Sequence, residues 1–165
     1  MHDISVPLAD FSDRVRSEWI DHNGHMNMGY YMVVFDYATD AFLDHCGLTT
    51  AHREAEQVTT FALEGHINYL AEVGEGDPLL FRTYLIGFDE KRIHYMHEML
   101  HGEEGYRAST NELMSLHVSR RTRRAAPMHE DIRARLQAIM DAQSAAGIEM
   151  PPEAGRSLGL NNRRR

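Results

Sequence analysis

Glu18-Trp19-Ile20-Asp21-His22-Asn23-Gly24-His25-Met26-Asn27 is a short polar stretch that opens straight into an apolar one, and the fold is decided where the two meet. From Met26 to Cys46 there is no proline, and Gly29 is the only glycine. Tyr31, Val34, Phe35, Ala38, Ala41 and Phe42 recur at helical spacing, and Gly47 supplies a stop. Roughly twenty residues make a helix of about 30 Å, the width of a small domain. Tyr30, Met32, Val33, Tyr37 and Leu43 widen the apolar surface until little of the circumference reads as a solvent face. Such a helix is expected to be wrapped by the rest of the chain.

The polar stretch in front of it has the makings of a reactive turn. Asp21 and Asn23 suit turns and caps, and Gly24 permits tight or left-handed backbone. The first N–H groups of a helix lack intrahelical partners and carry the positive end of its dipole. Backbone donors between Gly24 and Met28 can therefore hold a carbonyl oxygen as it becomes an oxyanion. Asp21 can attack that carbonyl or deprotonate a water, and the residue types do not choose between the two routes. Asn23 can orient the water or the carbonyl, His25 can donate a hydrogen bond to the carbonyl or the leaving atom, and Asn27 suits a cap. The plain alternative makes Asp21 or Asn23 a helix cap and His25 a brace within the turn.

Composition narrows the function classes. A chain of 165 residues is one domain's worth, long enough for a real core. A net charge of −8 argues against nucleic acid as partner, although the sequence ends in Arg163-Arg164-Arg165. Cys46 is the only cysteine, so no disulfide forms within the chain and a reducing compartment suits it. The start has no long apolar run, so no signal peptide is expected. No segment reaches the roughly eighteen to twenty apolar residues of a membrane span, since Asp36, Asp40 and Asp44 interrupt the central helix. The expectation is a soluble cytoplasmic domain. Among 11 histidines, His22/His25 and His94/His97/His101 are grouped. In a strand, however, His94 and His97 point to opposite faces, and a metal site needs three or four converging ligands. No metal site is expected.

Taken in order, the chain alternates strand and turn signals. Arg14 to Ile20 reads as a first strand feeding the loop at Asp21. After the helix comes a polar connection, with a short helical turn over Ala51 to Glu56. Val58 to Leu70 alternates, with Phe61, Leu63, Ile67 and Tyr69 on one side and Glu64, His66 and Asn68 on the other. Gly65 marks a bulge or close approach. Gly74 to Pro78 is a turn, Leu79 to Phe88 a strand, Asp89 to Lys91 a tight turn, and Arg92 to His101 the hairpin partner. Gly102 to Gly105 turns again before a last long strand, Tyr106 to Ser119. Short turns between successive strands imply an antiparallel meander, and its apolar face would cover the central helix. Residues 1–143 form one domain, including a surface helix over 128–143 with the stripe Ile132, Leu136, Ile139 and Met140. Residues 144–165 read as an extended or mobile tail.

The pattern Asp-x-x-Gly-His-Met-Asn, Asp21 to Asn27, followed by Tyr30, Tyr31 and the apolar helix, resembles the hot-dog-fold thioesterases of the 4-hydroxybenzoyl-CoA thioesterase-like type. It is more similar to the betainyl-CoA thioesterase domain associated with bacterial carnitine dehydrogenases. That domain carries Glu-Trp-Ile-Asp-x-Asn-Gly-His-Met, Asp-x-Lys-Arg-x-His and Pro-Pro-Glu-x-Gly-Arg, matched here by Glu18–Met26, Asp89–His94 and Pro151–Arg156. The resemblance implies an α+β hot-dog fold, a curved antiparallel sheet wrapped around one long central helix. It implies hydrolysis of an acyl-CoA to free acid and coenzyme A, with no cofactor beyond the coenzyme A of the substrate. Asp21 would carry catalysis, with His25 and Asn23 beside it and Gly24, Asn27 and Met28 against the substrate. The family often has an aromatic residue where Met28 stands, so only a backbone role carries over there.

Hot-dog pockets lie between two subunits, so a homodimer or homotetramer is implied, with His66 and Asn68 as second-rank contacts from the partner's strand. Betainyl-CoA, yielding glycine betaine, is the substrate suggested. Trp19, Tyr30, Tyr31 and Tyr69 could box its trimethylammonium group, with Asp36 and Asp40 further along the helix. Arg120, Arg121, Arg123 and Arg124 would be a solvated run or would meet the nucleotide phosphates. Two rival readings share the fold: a (de)hydratase acting on an acyl thioester, and a non-enzymatic acyl-CoA binding module.

Overall fold

The computed structural model describes residues 4–9 and 11–158, so the arginines at 163–165 lie outside it. In chain order there are β1 (Ser12–Arg14), a 3-10 turn (Ser17–Trp19), α1 (Met28–His45), α2 (Thr50–Glu56), β2 (Val58–Tyr69), β3 (Pro78–Phe88), β4 (Arg92–His101), β5 (Arg107–Ser119), β6 (Arg124–Ala125) and α3 (Glu130–Ala145). No helix among the described residues is long and apolar enough to cross a membrane.

The central helix forms where its spacing predicts, two residues later at the start. Met26 pairs with Ile20 in an isolated bridge and gives its N–H to the Val73 carbonyl, which holds it outside the helix. Asn27 is the cap: its side-chain oxygen accepts from the Gly29 N–H at 2.9 Å. Gly47 ends the element at φ +90, where a side chain would also press on Ile132.

The meander reading needs correcting. All strands pair antiparallel, but the order is β1-β3-β4-β5-β2, with β6 added to β5. Only β3, β4 and β5 follow one another as hairpins; β2 lies along β5, from Val58 opposite Ser119 to Tyr69 opposite Ser109. The Gly74–Pro78 turn therefore closes no hairpin. Its residues hold β1, through the Val15 N–H on Asp77 O and the Gly76 N–H on Val15 O, while residues 70–73 cross the start of α1. The first strand is also shorter and earlier than Arg14–Ile20, because the chain turns at Ser17 and buries Trp19. The Arg16 guanidinium covers that indole at 4.7 Å.

Tyr31, Val34, Phe35, Ala38, Phe42 and Leu43 face the sheet and form two apolar clusters, one at each end of the helix. Fully buried His97 of β4 sits between them, against the rings of Phe35, Phe42 and Tyr95. Its two ring nitrogens meet the hydroxyls of Thr39 (3.0 Å) and Thr83 (2.9 Å). Within one chain the wrapping of α1 is only half complete. Met28 (65% exposed), Met32 (42%), Val33 (37%) and Tyr37 (39%) remain on its open side. Asp36 and Asp40 lie on that side too, and partial burial followed by the charge of Asp40 raises the Asp36 carboxyl.

The last helix runs to Ala145, and its Gln143 side chain bonds both the N–H and the carbonyl of Leu85. The segment after it is extended, but residues 151–156 are bound to the sheet rather than loose. Glu153 is buried against Arg107 (2.6 Å), which also holds Glu98. The Gly155 N–H donates to Glu112 at 2.8 Å. Burial alone would raise the Glu153 carboxyl; hydrogen bonds and charge from Arg107 outweigh it and hold the group below its ordinary value. The Pro-Pro-Glu-x-Gly-Arg stretch is thus a strap across the outer face of the sheet.

Candidate active site

The loop before α1 is a small closed ring. The Asp21 N–H donates to His25 O at 3.0 Å, the Gly24 N–H to Asp21 O at 3.0 Å, and Gly24 stands at φ +82, where a side chain would strain the backbone. Inside the ring the Asn23 N–H donates to one carboxylate oxygen of Asp21 at 2.8 Å, which orients the half-buried acid. Asp21 and Asn23 are not caps of α1, because Asn27 fills that position.

Asp21, Asn23, His25, Asn27, Met28 and Tyr31 line one cleft of about 730 Å³, within the usual range of ligand pockets. The other wall is Tyr69 to Glu72. Of the backbone donors between Gly24 and Met28, three are taken: Gly24 by Asp21, Met26 by Val73 and Asn27 by Trp19. Among the described residues the Met28 N–H donates to no protein acceptor. It sits at the positive end of the helix and on the cleft. A donor so placed suits an oxyanion. The Met28 side chain adds only exposed apolar surface.

Sequence reasoning does not find the second wall. Nothing in Leu70-Ala71-Glu72-Val73 marks it as a site, because only the crossover brings it to the helix start. Tyr31 donates to Ala71 O (3.4 Å), Tyr69 to Met28 O (3.3 Å) and Tyr106 to Glu72 O (2.9 Å). Burial pushes the Tyr31 hydroxyl up to about 12 and raises Tyr69 as well. Both phenols therefore stay neutral at working pH. The aromatic set divides: Trp19 stacks on Tyr30 away from the cleft, while Tyr31 and Tyr69 meet edge to face at 5.2 Å on it. Asp36 and Asp40 do not line the cleft, and Asp40 lies 3.6 Å from Arg53.

His66 and Asn68 are not brought to Asp21 within the chain. A register shift at Leu63 sets Glu64, His66 and Asn68 opposite Met114, Glu112 and Thr110, on the outer face that carries the strap. There His66 lines two clefts beside the strap, of about 500 and 780 Å³. His94 bonds Glu112 on the same face at 2.7 Å, far in role from the core histidine His97. The arginines at 120, 121, 123 and 124 are exposed around the β5–β6 turn.

With this geometry in hand, similarity to known proteins places the chain. Residues 15–136 match the thioesterase-like superfamily, and the chain belongs to that family. It is an acyl-CoA thioesterase of the hot-dog fold. It is 39% identical to the betainyl-CoA thioesterase of Pseudomonas aeruginosa over 95% of this chain and 98% of that one. It is 33% identical to the L-carnitine dehydrogenase/betainyl-CoA thioesterase of Rhizobium meliloti, covering 95% of this chain but only 31% of that longer protein. Among solved structures it resembles the protein SAV2348 of Staphylococcus aureus in complex with CoA, with a TM-score of 0.84, 31% identity, and 91% and 93% of the two chains covered.

Proposed function

We propose that this thioesterase hydrolyses betainyl-CoA to glycine betaine and coenzyme A, with Asp21 as its catalytic carboxylate. The observation that carries the chemistry is the oriented Asp21 carboxylate and the Met28 N–H on one cleft. The acyl group is argued from the similarity to the P. aeruginosa enzyme over nearly its whole length. Asp21 activates a water or attacks the thioester carbonyl, Met28 N–H receives the oxyanion, and Asn23 and His25 stand beside the reacting centre. Gly24 and Asn27 serve by shaping the backbone, and within one chain His66 and Asn68 do not reach the reacting centre. The reaction drawn this way calls for neither a metal nor a bound cofactor, and it suits a cytoplasmic enzyme.

A trimethylammonium group donates no hydrogen bonds, so selectivity has to come from aromatic faces and nearby carboxylates. Tyr31 and Tyr69 provide the first and Asp21 the second. Betainyl-CoA is expected to exceed neutral acyl-CoAs of similar size in kcat/KM by about tenfold or more, which needs only about 1.4 kcal/mol. Tyr69→Leu should erase that preference while sparing a neutral substrate. Equal turnover of acetyl-, butyryl- and betainyl-CoA would leave only the general thioesterase assignment.

The cleft is completed, in this reading, by a second copy of the chain. One edge of the sheet is blunted by short β1 and the Leu8–Thr83 bridge. The other, β2, is twelve residues long and pairs outward with nothing among the described residues. Phe61 (45% exposed) and Leu63 (55%) lie on it, and Met28, Met32, Val33 and Tyr37 are exposed on the open side of α1. A two-fold dimer would bury these surfaces together. Sedimentation should show a dimer or larger, and Leu63→Arg should shift it towards monomer with loss of activity. A fully active monomer would refute the shared pocket.

A further inference from the structure

The crossover past the start of α1 is fastened at three successive carbonyls. Tyr31 donates to Ala71 O, Tyr106 to Glu72 O and the Met26 N–H to Val73 O. From this fixed rail one ionisable side chain reaches into the cleft: Glu72, whose carboxylate oxygen lies 2.8 Å from His25 Nε2. Both side chains are open to solvent, Glu72 at 72% and His25 at 44%. An ion pair so exposed contributes almost nothing to stability, so folding does not explain why its two backbones are pinned together beside Asp21.

We propose that Glu72 is a positioning residue for His25, holding the imidazole by Nε2 so that Nδ1 delivers a proton to the departing coenzyme A sulfur. The proposal rests on the Asp21 reading above. Water adds to the thioester carbon as Asp21 takes its proton, and the oxyanion forms at the Met28 N–H. When the carbonyl re-forms, the C–S bond breaks and its electron pair leaves on sulfur. Protonated His25 gives that sulfur its proton, producing the thiol. Asp21 and the new carboxylic acid then release two protons, of which one restores His25 and the other leaves to solvent. If Asp21 attacks directly, the sulfur needs the same proton. A carboxylate on the far nitrogen fixes the ring's orientation, as in other carboxylate–histidine pairs.

The test compares two thioesters of one acyl group, the coenzyme A ester and the thiophenyl ester. Thiophenolate leaves without protonation, so the second substrate bypasses His25. Glu72→Gln is expected to lower kcat on the coenzyme A ester about tenfold or more, with KM little changed, and on the thiophenyl ester by about threefold at most. Glu72→Asp should recover part of the loss, and adding Glu72→Gln to His25→Ala should cost nothing further. Equal losses on both esters, additive losses with His25→Ala, or no loss at all would each overturn the role. Asp21→Asn run alongside separates the two ideas. If it abolishes turnover of both esters while Glu72→Gln is harmless, only the Glu72 role falls. If Asp21→Asn stays active on both, the catalytic reading falls and takes the Glu72 role with it.

Discussion

Asp21→Asn is expected to remove about two to four decades of kcat on an acyl-CoA while leaving substrate binding in place. Asparagine keeps the oxygen that accepts the Asn23 N–H, so the ring from Asp21 to His25 should survive the change. What it loses is the charge that deprotonates water or attacks a carbonyl. The helix start does not depend on Asp21, since Asn27 caps it, so any loss of stability should stay within about 1 kcal/mol. Thiol release measured beside circular dichroism and thermal melting separates the two effects. Near-normal turnover in a folded Asp21→Asn protein would end the catalytic assignment.

A second large effect is expected from pH, acting through His97 rather than the active site. Complete burial among Phe35, Phe42 and Tyr95 pushes this imidazole from 6.5 down to about 3. A folded-state value below the unfolded one means that the unfolded chain binds the proton first as pH falls. The stability contributed by neutral His97 is therefore complete above pH 6.5 and is lost progressively between 6.5 and about 3. By about pH 4.5 the cost is about 2–3 kcal/mol, at about 1.4 kcal/mol per pH unit. Urea unfolding of wild type should show this extra loss relative to His97→Gln, which keeps a donor and an acceptor for Thr39 and Thr83. Parallel stability curves for the two proteins would show that His97 is not the group responsible. The variant will be less stable at neutral pH, so the difference in slope, not the absolute value, carries the result.

The two predictions draw on different kinds of legibility. Asp21 could be singled out from the residues around it, because a carboxylate, a glycine and a helix start within a few positions are a local pattern. His97 could not. In the sequence it is one of three histidines in a strand, and alternation says only that it faces away from His94. That it faces the core, between two threonine hydroxyls from α1 and β3, depends on contacts across 58 and 14 residues of chain. The same divide runs through the cleft. Its Asp21–Met28 wall is continuous in sequence; its Tyr69–Glu72 wall arrives from elsewhere.

By itself the sequence determined what short-range physics decides. Helical spacing and Gly47 set α1, Asn27 caps it, the turns at Asp89 and Gly102 set the hairpins of β3, β4 and β5, and the residues from Asp21 to Asn27 marked the reactive loop. Only the tertiary structure decided that β2 pairs with β5 rather than β3, since a turn signal reverses the chain without naming the neighbour it returns to. That pairing, with one residue bulged at Leu63, sends His66 and Asn68 to the outer face and Tyr69 to the cleft. It also sends the crossover past the helix start, where Glu72 meets His25, and it leaves the Pro151–Arg156 strap a row of charged groups on β4 and β5 to bind. Strand pairing is chosen by backbone hydrogen bonds and buried area summed over a dozen residues on each side, and no local stretch of the chain contains that sum.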